Sequence, residues 1–212
     1  MFANIEKKEP LVAQFFGMSL CAYFKKMNRT VINVGCHNPK FIDSYSDIFC
    51  KVITIDPLIS VNPQLKDRVQ NKTDAEIIMH GIALSAKSGD PITYYMCREN
   101  IGISTTLHYN YQNMKELFPN NTWSELVVSM YDLDDLYPMI NDVDLFKIDA
   151  ENADVEILVG ATNLIARNLP VIQIEHDNDN KGYEMLTHIG YTKIEPPFKT
   201  ANSYYVHGSD LK

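Results

Sequence analysis

The sequence lacks most of the signals that assign a chain to a specialised class. Its four cysteines, Cys21, Cys36, Cys50 and Cys97, include no CxxC pair, so neither a zinc-ligand pattern nor a disulfide framework is present. We interpret them as reduced thiols, which favours a cytoplasmic protein. The 212 residues are 45% hydrophobic and 22% charged, which is typical of one ordinary globular domain.

Basic clusters and long apolar runs are also missing. The formal net charge is −8 and no run of Lys and Arg exceeds a pair, which argues against a nucleic-acid partner. The apolar run over residues 11–24 contains Gln14 and is shorter than the ~20 residues that span a bilayer. We expect residues 1–30 to form an N-terminal helical extension and residues 31–212 to form a single domain. A helix lying on a membrane surface is the weaker alternative for the extension.

Glycine-rich loops are absent too. The β-branched run 31–34 ends in Gly35, which predicts a strand followed by a tight turn. The next positions lack the second and third glycines with which a dinucleotide fingerprint approaches a pyrophosphate, so the sequence argues against NAD. A ligand without phosphates, such as S-adenosylmethionine, is less demanding. Asp56, about twenty residues further on, has the spacing of an acid that binds ribose hydroxyls. A turn acid before Pro57 is the structural alternative.

The clearest pattern that is present covers residues 143–161. An apolar run ends in Asp149 and Glu151, and Val155, Leu158 and Val159 follow with helical spacing. This predicts a buried strand that delivers two carboxylates to a turn at the start of a helix. Ligands of open α/β sheets bind beyond the carboxyl ends of the strands, so we favour a functional role for the acids. A helix cap is the alternative for Asp149.

Strand patterns alternate with helical ones along most of the chain. A helix is expected from residue 39, and a helix of about fifteen residues between the two most apolar strands suits a right-handed parallel crossover. We therefore predict a mostly parallel, doubly wound α/β sheet with a C-terminal antiparallel strand pair. The strand ranges are 31–34, 52–55, 76–79, 92–96, 126–130, 144–148, 171–175, 191–194 and 204–206.

An ordered series of motifs over residues 31–206 resembles the FkbM-type family of S-adenosylmethionine-dependent methyltransferases. KIDAENADVEILVGA, which starts at Lys147, is the most specific of these motifs. The others are INVGCHN from Ile32, IDP at Asp56, ALSAKSG from Ala83, LDDL from Leu133, IQIEH ending at His176, and IGY ending at Tyr191.

The resemblance implies a Rossmann-like class I methyltransferase fold and an enzyme that methylates a hydroxyl of a small molecule or glycan. It implies a cofactor site made of Asn33, Gly35, Cys36, Asp56, Ile82, Ala83 and Asp149. Candidate catalytic residues at the same strand ends are Lys147, Asp149, Glu151 and His176. Core packing remains the alternative for Ile82 and Ala83, and a lysine that reaches to water at the edge of the sheet is the alternative for Lys147.

Three positions depart from the family pattern, which usually has Asp at Asn33, a second glycine at Pro39 and glycine at Asn152. Asn adopts left-handed backbone better than most residues, so Asn152 is compatible with the turn. The departures leave a catalytically inactive binding or scaffold protein as the alternative function. Asp149, together with Glu175 and His176, has oxygen and imidazole ligands that suit a divalent metal. We favour a reaction without a metal.

Overall fold

The computed structural model describes residues 29–35, 39–62, 75–175, 180–194 and 202–211. The expected N-terminal helical extension therefore lies almost wholly outside the described residues and stays a prediction. The strands are β1 (Thr30–Val34), β2 (Lys51–Ile55), β3 (Glu76–His80), β4 (Ala83–Leu84), β5 (Gly89–Cys97), β6 (Trp123–Tyr131), β7 (Val143–Ile148), β8 (Val171–Ile174), β9 (Tyr191–Ile194) and β10 (Ser203–His207). The α-helices are α1 (Pro39–Ser46), α2 (Leu58–Val61), α3 (His108–Leu117), α4 (Leu133–Leu136), α5 (Asp154–Val159), α6 (Thr162–Asn168) and α7 (Lys181–His188), and 3-10 helices cover Ile101–Ile103 and Gly208–Leu211.

The main sheet has seven strands in the order β3-β2-β1-β7-β8-β10-β9. The first five strands of that order run parallel, while β10 is antiparallel to both β8 and β9. The order reverses direction between β1 and β7, and such a switch point opens a crevice beyond the strand ends. The predicted α/β fold with its C-terminal antiparallel pair is confirmed. None of the helices in the described segments is long and apolar enough to cross a membrane.

The chain segment between β3 and β7 forms a second sheet, in the strand order β4-β6-β5. The strands predicted at 92–96 and 126–130 are present but longer, and they form an antiparallel pair outside the main sheet. One face of this pair packs Tyr94 and Val128 against Leu58 and Ala83. The second sheet is thereby packed against α2, the short helix that follows β2.

Both faces of the main sheet are covered, as continuous apolar strands require. One face packs against the helices that follow β7 and β8, through residues such as Leu158 and Leu186. On the opposite face, Ile42 and Tyr45 of α1 pack against the lower part of β1, β2 and β7. This agrees with the predicted helix after residue 39.

The predicted fifteen-residue helix after β7 is wrong, because the chain forms the two short helices α5 and α6 there. Gly160 ends α5, and a Cβ at Gly160 would overlap the carbonyl oxygen of Ser85. The predicted inner face is also wrong in part. Ile157 and Leu158 are buried, whereas Val159 is 46% exposed.

Candidate active site

The site is built on four residues that directly follow four neighbouring strands: Asp56 after β2, Gly35 after β1, Asp149 after β7 and Glu175 after β8. The backbone amide of each donates to the last carbonyl of the adjacent strand, so the parallel ladder continues for one more rung. The acceptors are His80 for Asp56 (3.0 Å), Ile55 for Gly35 (3.0 Å), Val34 for Asp149 (3.2 Å) and Ile148 for Glu175 (3.1 Å). The sheet itself therefore lines up these residues along one edge.

Gly35 allows the chain after β1 to lie close to the chain after β7. Its φ is +78°, and a Cβ built there would overlap the backbone carbonyl oxygen of Asp149. Only glycine meets both conditions at low cost. The structure thus gives the missing side chain a role in the packing of the chain that leaves β7, and the predicted approach of a ligand to Gly35 stays a prediction.

A cleft of about 550 Å³, including its open mouth, lies above this edge. It brings together six of the predicted site residues: Gly35, Asp56, Ile82, Ala83, Asp149 and Glu151. Its far wall is made by the segment from Ile101 to Thr106, which follows β5. The cleft thus lies between the edge of the main sheet and the second sheet.

Asp56 lies in the cleft wall with only 4% of its surface exposed. Its Oδ1 accepts a hydrogen bond from the amide of Leu58 at 2.8 Å, so Asp56 also holds the turn at Pro57. Burial raises the pKa of Asp56 from 3.8 to about 6, although the Leu58 amide and the charge of Lys147 act in the opposite direction. The structural interpretation of this acid is therefore confirmed, and its role in binding ribose hydroxyls stays a prediction.

For Tyr94, the sequence favours packing within its own segment and leaves stacking on a sugar as the alternative; the structure places Tyr94 in the cleft. It is 5% exposed and lines the cleft together with Ser104. Burial raises the pKa of Tyr94 far above its ordinary value, and the nearby charges of Asp56 and Glu151 add to the effect, while a hydrogen bond with Ser104 opposes it. The phenol stays protonated at any physiological pH. Nothing local in the sequence shows that this residue meets the cleft.

Three carboxylates and one lysine meet at the ends of β7 and β8. One carboxylate oxygen each of Asp149, Glu151 and Glu175 lie within 4.8 Å of one another, an arrangement able to hold a divalent cation. Lys147 Nζ donates to Asp149 Oδ2 at 3.0 Å. Burial and a hydrogen bond with Glu175 raise the pKa of Asp149, and the charge of Lys147 opposes that rise.

Lys147 and Asn33 do not line the cleft and lie beneath it. They are paired in register, and the neighbouring strands add Thr54 and Gln173 to the same row. All four residues are at most 2% exposed. Within the described parts of the chain, both polar side-chain atoms of Asn33 and the hydroxyl of Thr54 have no hydrogen-bond partner. Lys147 therefore contacts the cleft residue Asp149 and is not a lysine that reaches water at the sheet edge, while its predicted catalytic role stays a prediction.

Two predicted site residues, Cys36 and His176, lie outside the described residues, so their roles stay predictions. Glu175, which precedes His176, is described and contacts Asp149 as stated above.

A sequence profile of the methyltransferase FkbM domain matches residues 8–192, which is most of the chain. The chain belongs to the FkbM methyltransferase family. A crystal structure of methyltransferase FkbM from Methylobacillus flagellatus KT is similar in fold, with a TM-score of 0.52, 12% sequence identity and 88% of this chain covered. The chain spans about half of that protein, since the match covers 50% of it. No curated protein has significant sequence similarity to this chain.

In this FkbM domain, the acids in and just before the LDDL segment stabilise helix ends and a loop, and the segment does not line the cleft. Asp132, just before it, accepts from the amide of Asp135 at 2.7 Å and from the amide of Ser88 at 2.8 Å. Asp134 accepts from the amides of Asn163 and Leu164 at the start of α6. These acids cap two helices and anchor the loop before β5.

Proposed function

We propose that this FkbM domain is an S-adenosylmethionine-dependent methyltransferase that methylates a hydroxyl oxygen of a small molecule or glycan. The observation that carries the proposal is the meeting of Asp56, Asp149 and Glu151 in one cleft with an apolar wall. Clustered, partly desolvated acids cost folding stability, and such sites are commonly retained for function.

The chemistry of the cleft fits the cofactor. Asp56 would accept hydrogen bonds from the ribose hydroxyls, and the apolar Ile82 and Ala83 would border the adenine. Asp149 would attract the ammonium group of the methionine part.

The bound cofactor supplies an electrophilic methyl group, and the protein has to align the acceptor and remove its proton. Glu151 is the candidate proton acceptor, because it lines the cleft next to Asp149. The segment from Ile101 to Thr106 forms the remaining wall and is the candidate contact for the acceptor. A net charge of −8 favours a neutral or cationic acceptor over nucleic acid.

Calorimetry with S-adenosylhomocysteine tests the cofactor assignment. We expect binding by the wild type, and Asp56→Asn should weaken it by about 1–3 kcal/mol because polar groups lose their partners. Asp90→Asn changes an exposed acid and should leave the affinity unchanged. The absence of heat and of a thermal shift at millimolar ligand would contradict the proposal.

Radiolabelled methyl transfer to a panel of sugars, small alcohols and RNA tests the acceptor class. Transfer to RNA alone would contradict the proposed acceptors. Addition of EDTA to an active preparation separates the two roles of the acid cluster: loss of turnover that added magnesium restores would assign it to a cation, and unchanged turnover would assign it to proton transfer.

An inactive binding protein is the second candidate function. It is favoured by Asn33, whose neutral side chain is fully buried beneath the cleft at a position where the family usually has an acid. Binding of S-adenosylhomocysteine without transfer to any acceptor in the panel would support it.

A further inference from the structure

The chain makes an unusual turn between β7 and α5. The amide of Ala153 donates to the carbonyl of Ala150 at 3.1 Å, and the two residues between them, Glu151 and Asn152, have φ of +50° and +75°. Positive φ at both central residues is the signature of a type I′ turn. Asn suits such a position, but a glutamate costs about 1–2 kcal/mol there. Contacts from elsewhere in the fold therefore bear on the orientation of the peptide group between these two residues.

Two side chains from the segment after β5 contact the peptide group between the two central residues. The side-chain amide of Asn110 donates to the carbonyl oxygen of Glu151 at 3.2 Å, and the hydroxyl of Thr105 donates to the same oxygen at 3.4 Å. Asn110 is 3% exposed and Thr105 is 1% exposed. Thr105 is itself fixed, because its backbone exchanges two hydrogen bonds with Tyr95 of β5, at 2.8 and 3.0 Å.

These contacts discriminate between two forms of the turn. Rotation of the peptide group between Glu151 and Asn152 converts a type I′ turn into a type II′ turn, which requires negative φ at its second central residue. The rotation turns the Glu151 carbonyl away from Asn110 and Thr105. Both donors are buried, so the rotated form leaves them without this acceptor.

We propose that Asn110, assisted by Thr105, is a positioning residue that locks the Glu151–Asn152 turn in its left-handed form. The lock keeps the Glu151 carboxylate beside Asp149 and Glu175, within the 4.8 Å that separates their oxygens. Thr105 also lines the cleft, so an acceptor that packs against this wall would contact a residue that holds the turn. The catalytic consequence rests on the proposed function, whereas the conformational lock does not.

The test compares the wild type, Asn110→Leu and the double variant Asn110→Leu/Asn152→Gly. Leucine is similar in size to asparagine and removes the donor. Glycine adopts positive φ freely, so it should keep the turn left-handed without the lock. Asn113 is an exposed asparagine on the same helix, and Asn113→Leu is the matched control.

The readout of the turn is the amide–amide NOE between residues 151 and 152, which is strong in a type I′ turn and lost in a type II′ turn. We expect it in the wild type, the Asn113 control and the double variant, and its loss in Asn110→Leu. An NOE that persists in Asn110→Leu would overturn the proposal. So would a double variant that fails to recover the NOE.

Two functional measurements accompany the NOE. Affinity for S-adenosylhomocysteine should stay within twofold in all variants, because the lock does not contact Asp56. On an acceptor from the panel above, Asn110→Leu should lower kcat at least tenfold with little change in KM for S-adenosylmethionine, and Asn152→Gly should restore it. Loss of the NOE with unchanged kcat would overturn the positioning role. A wild type that binds no S-adenosylhomocysteine would instead contradict the proposed function, while the NOE still decides the lock.

Discussion

Replacement of Asp56 by asparagine should make the protein more stable at neutral pH while it weakens binding of the cofactor. The pKa of Asp56 rises from 3.8 in the unfolded chain to about 6 in the folded protein, mainly because the carboxyl is buried. Between these two values the folded state binds more protons than the unfolded state, so stability falls as pH rises. A difference of about two units corresponds to about 3 kcal/mol lost above pH 6.

Asparagine separates this charge effect from the turn that Asp56 also holds. Its side-chain oxygen can still accept the hydrogen bond from the Leu58 amide, which the aspartate accepts at 2.8 Å. The expected gain is therefore close to zero at pH 4, where Asp56 is protonated in the folded state, and approaches about 3 kcal/mol at pH 7.5.

Urea unfolding of the wild type and Asp56→Asn at pH 4 and pH 7.5 measures the gain. Asp90→Asn should show no such pH dependence, because Asp90 is exposed. A gain that is equal at both pH values, or a loss at pH 7.5, would refute the reasoning. Stabilisation together with weaker binding of S-adenosylhomocysteine is the trade-off expected of a functional acid.

Three further predictions concern residues of the main sheet in or beneath the cleft. Gly35→Ala should lower the free energy of unfolding in urea by about 3 kcal/mol or more, since it adds left-handed strain and an overlap with Asp149. The control Gly89→Ala meets only the flexible end of a methionine at 3.1 Å and should cost far less, so similar losses in the two variants would contradict the close-approach argument. Thr54→Val removes a buried hydroxyl without a described partner, so the melting temperature should rise, and a clear fall would show that the hydroxyl is satisfied. Lys147→Met removes the charge that opposes the raised pKa of Asp149, so the carboxyl of Asp149 should titrate at higher pH by carbon NMR, and an unchanged titration would deny the pair a role.

The parts of the fold that the sequence predicts well are those with local signals. Asp56 and Asp149 each follow a short apolar run, and the parallel sheet then brings all such strand ends to one edge. Gly35 is predicted for the same reason, and its close approach to Asp149 is a further role that the sequence does not show. The helix after β7 was predicted too long, because the close contact of Gly160 with Ser85 leaves no trace in helical spacing.

The remaining parts of the site depend on contacts between distant segments. Tyr94 and the segment from Ile101 to Thr106 reach the cleft only because β5 and β6 form a second sheet beside it. For Lys147, the sequence favours a functional residue but leaves open a lysine at the sheet edge; β7 lies in the middle of the sheet, so the side chain is 2% exposed. Asn110 sits on a helix of ordinary composition, and its contact with Glu151 spans 41 residues.

The extra rung of hydrogen bonds at the strand ends has a kinetic consequence. The amides of Asp56, Gly35, Asp149 and Glu175 are hydrogen-bonded in the same ladder as the strands, so they should exchange with deuterium as slowly as the sheet core and open only with it. This side of the cleft then needs almost no ordering when a ligand arrives, and association should be limited by diffusion and by the opposite wall.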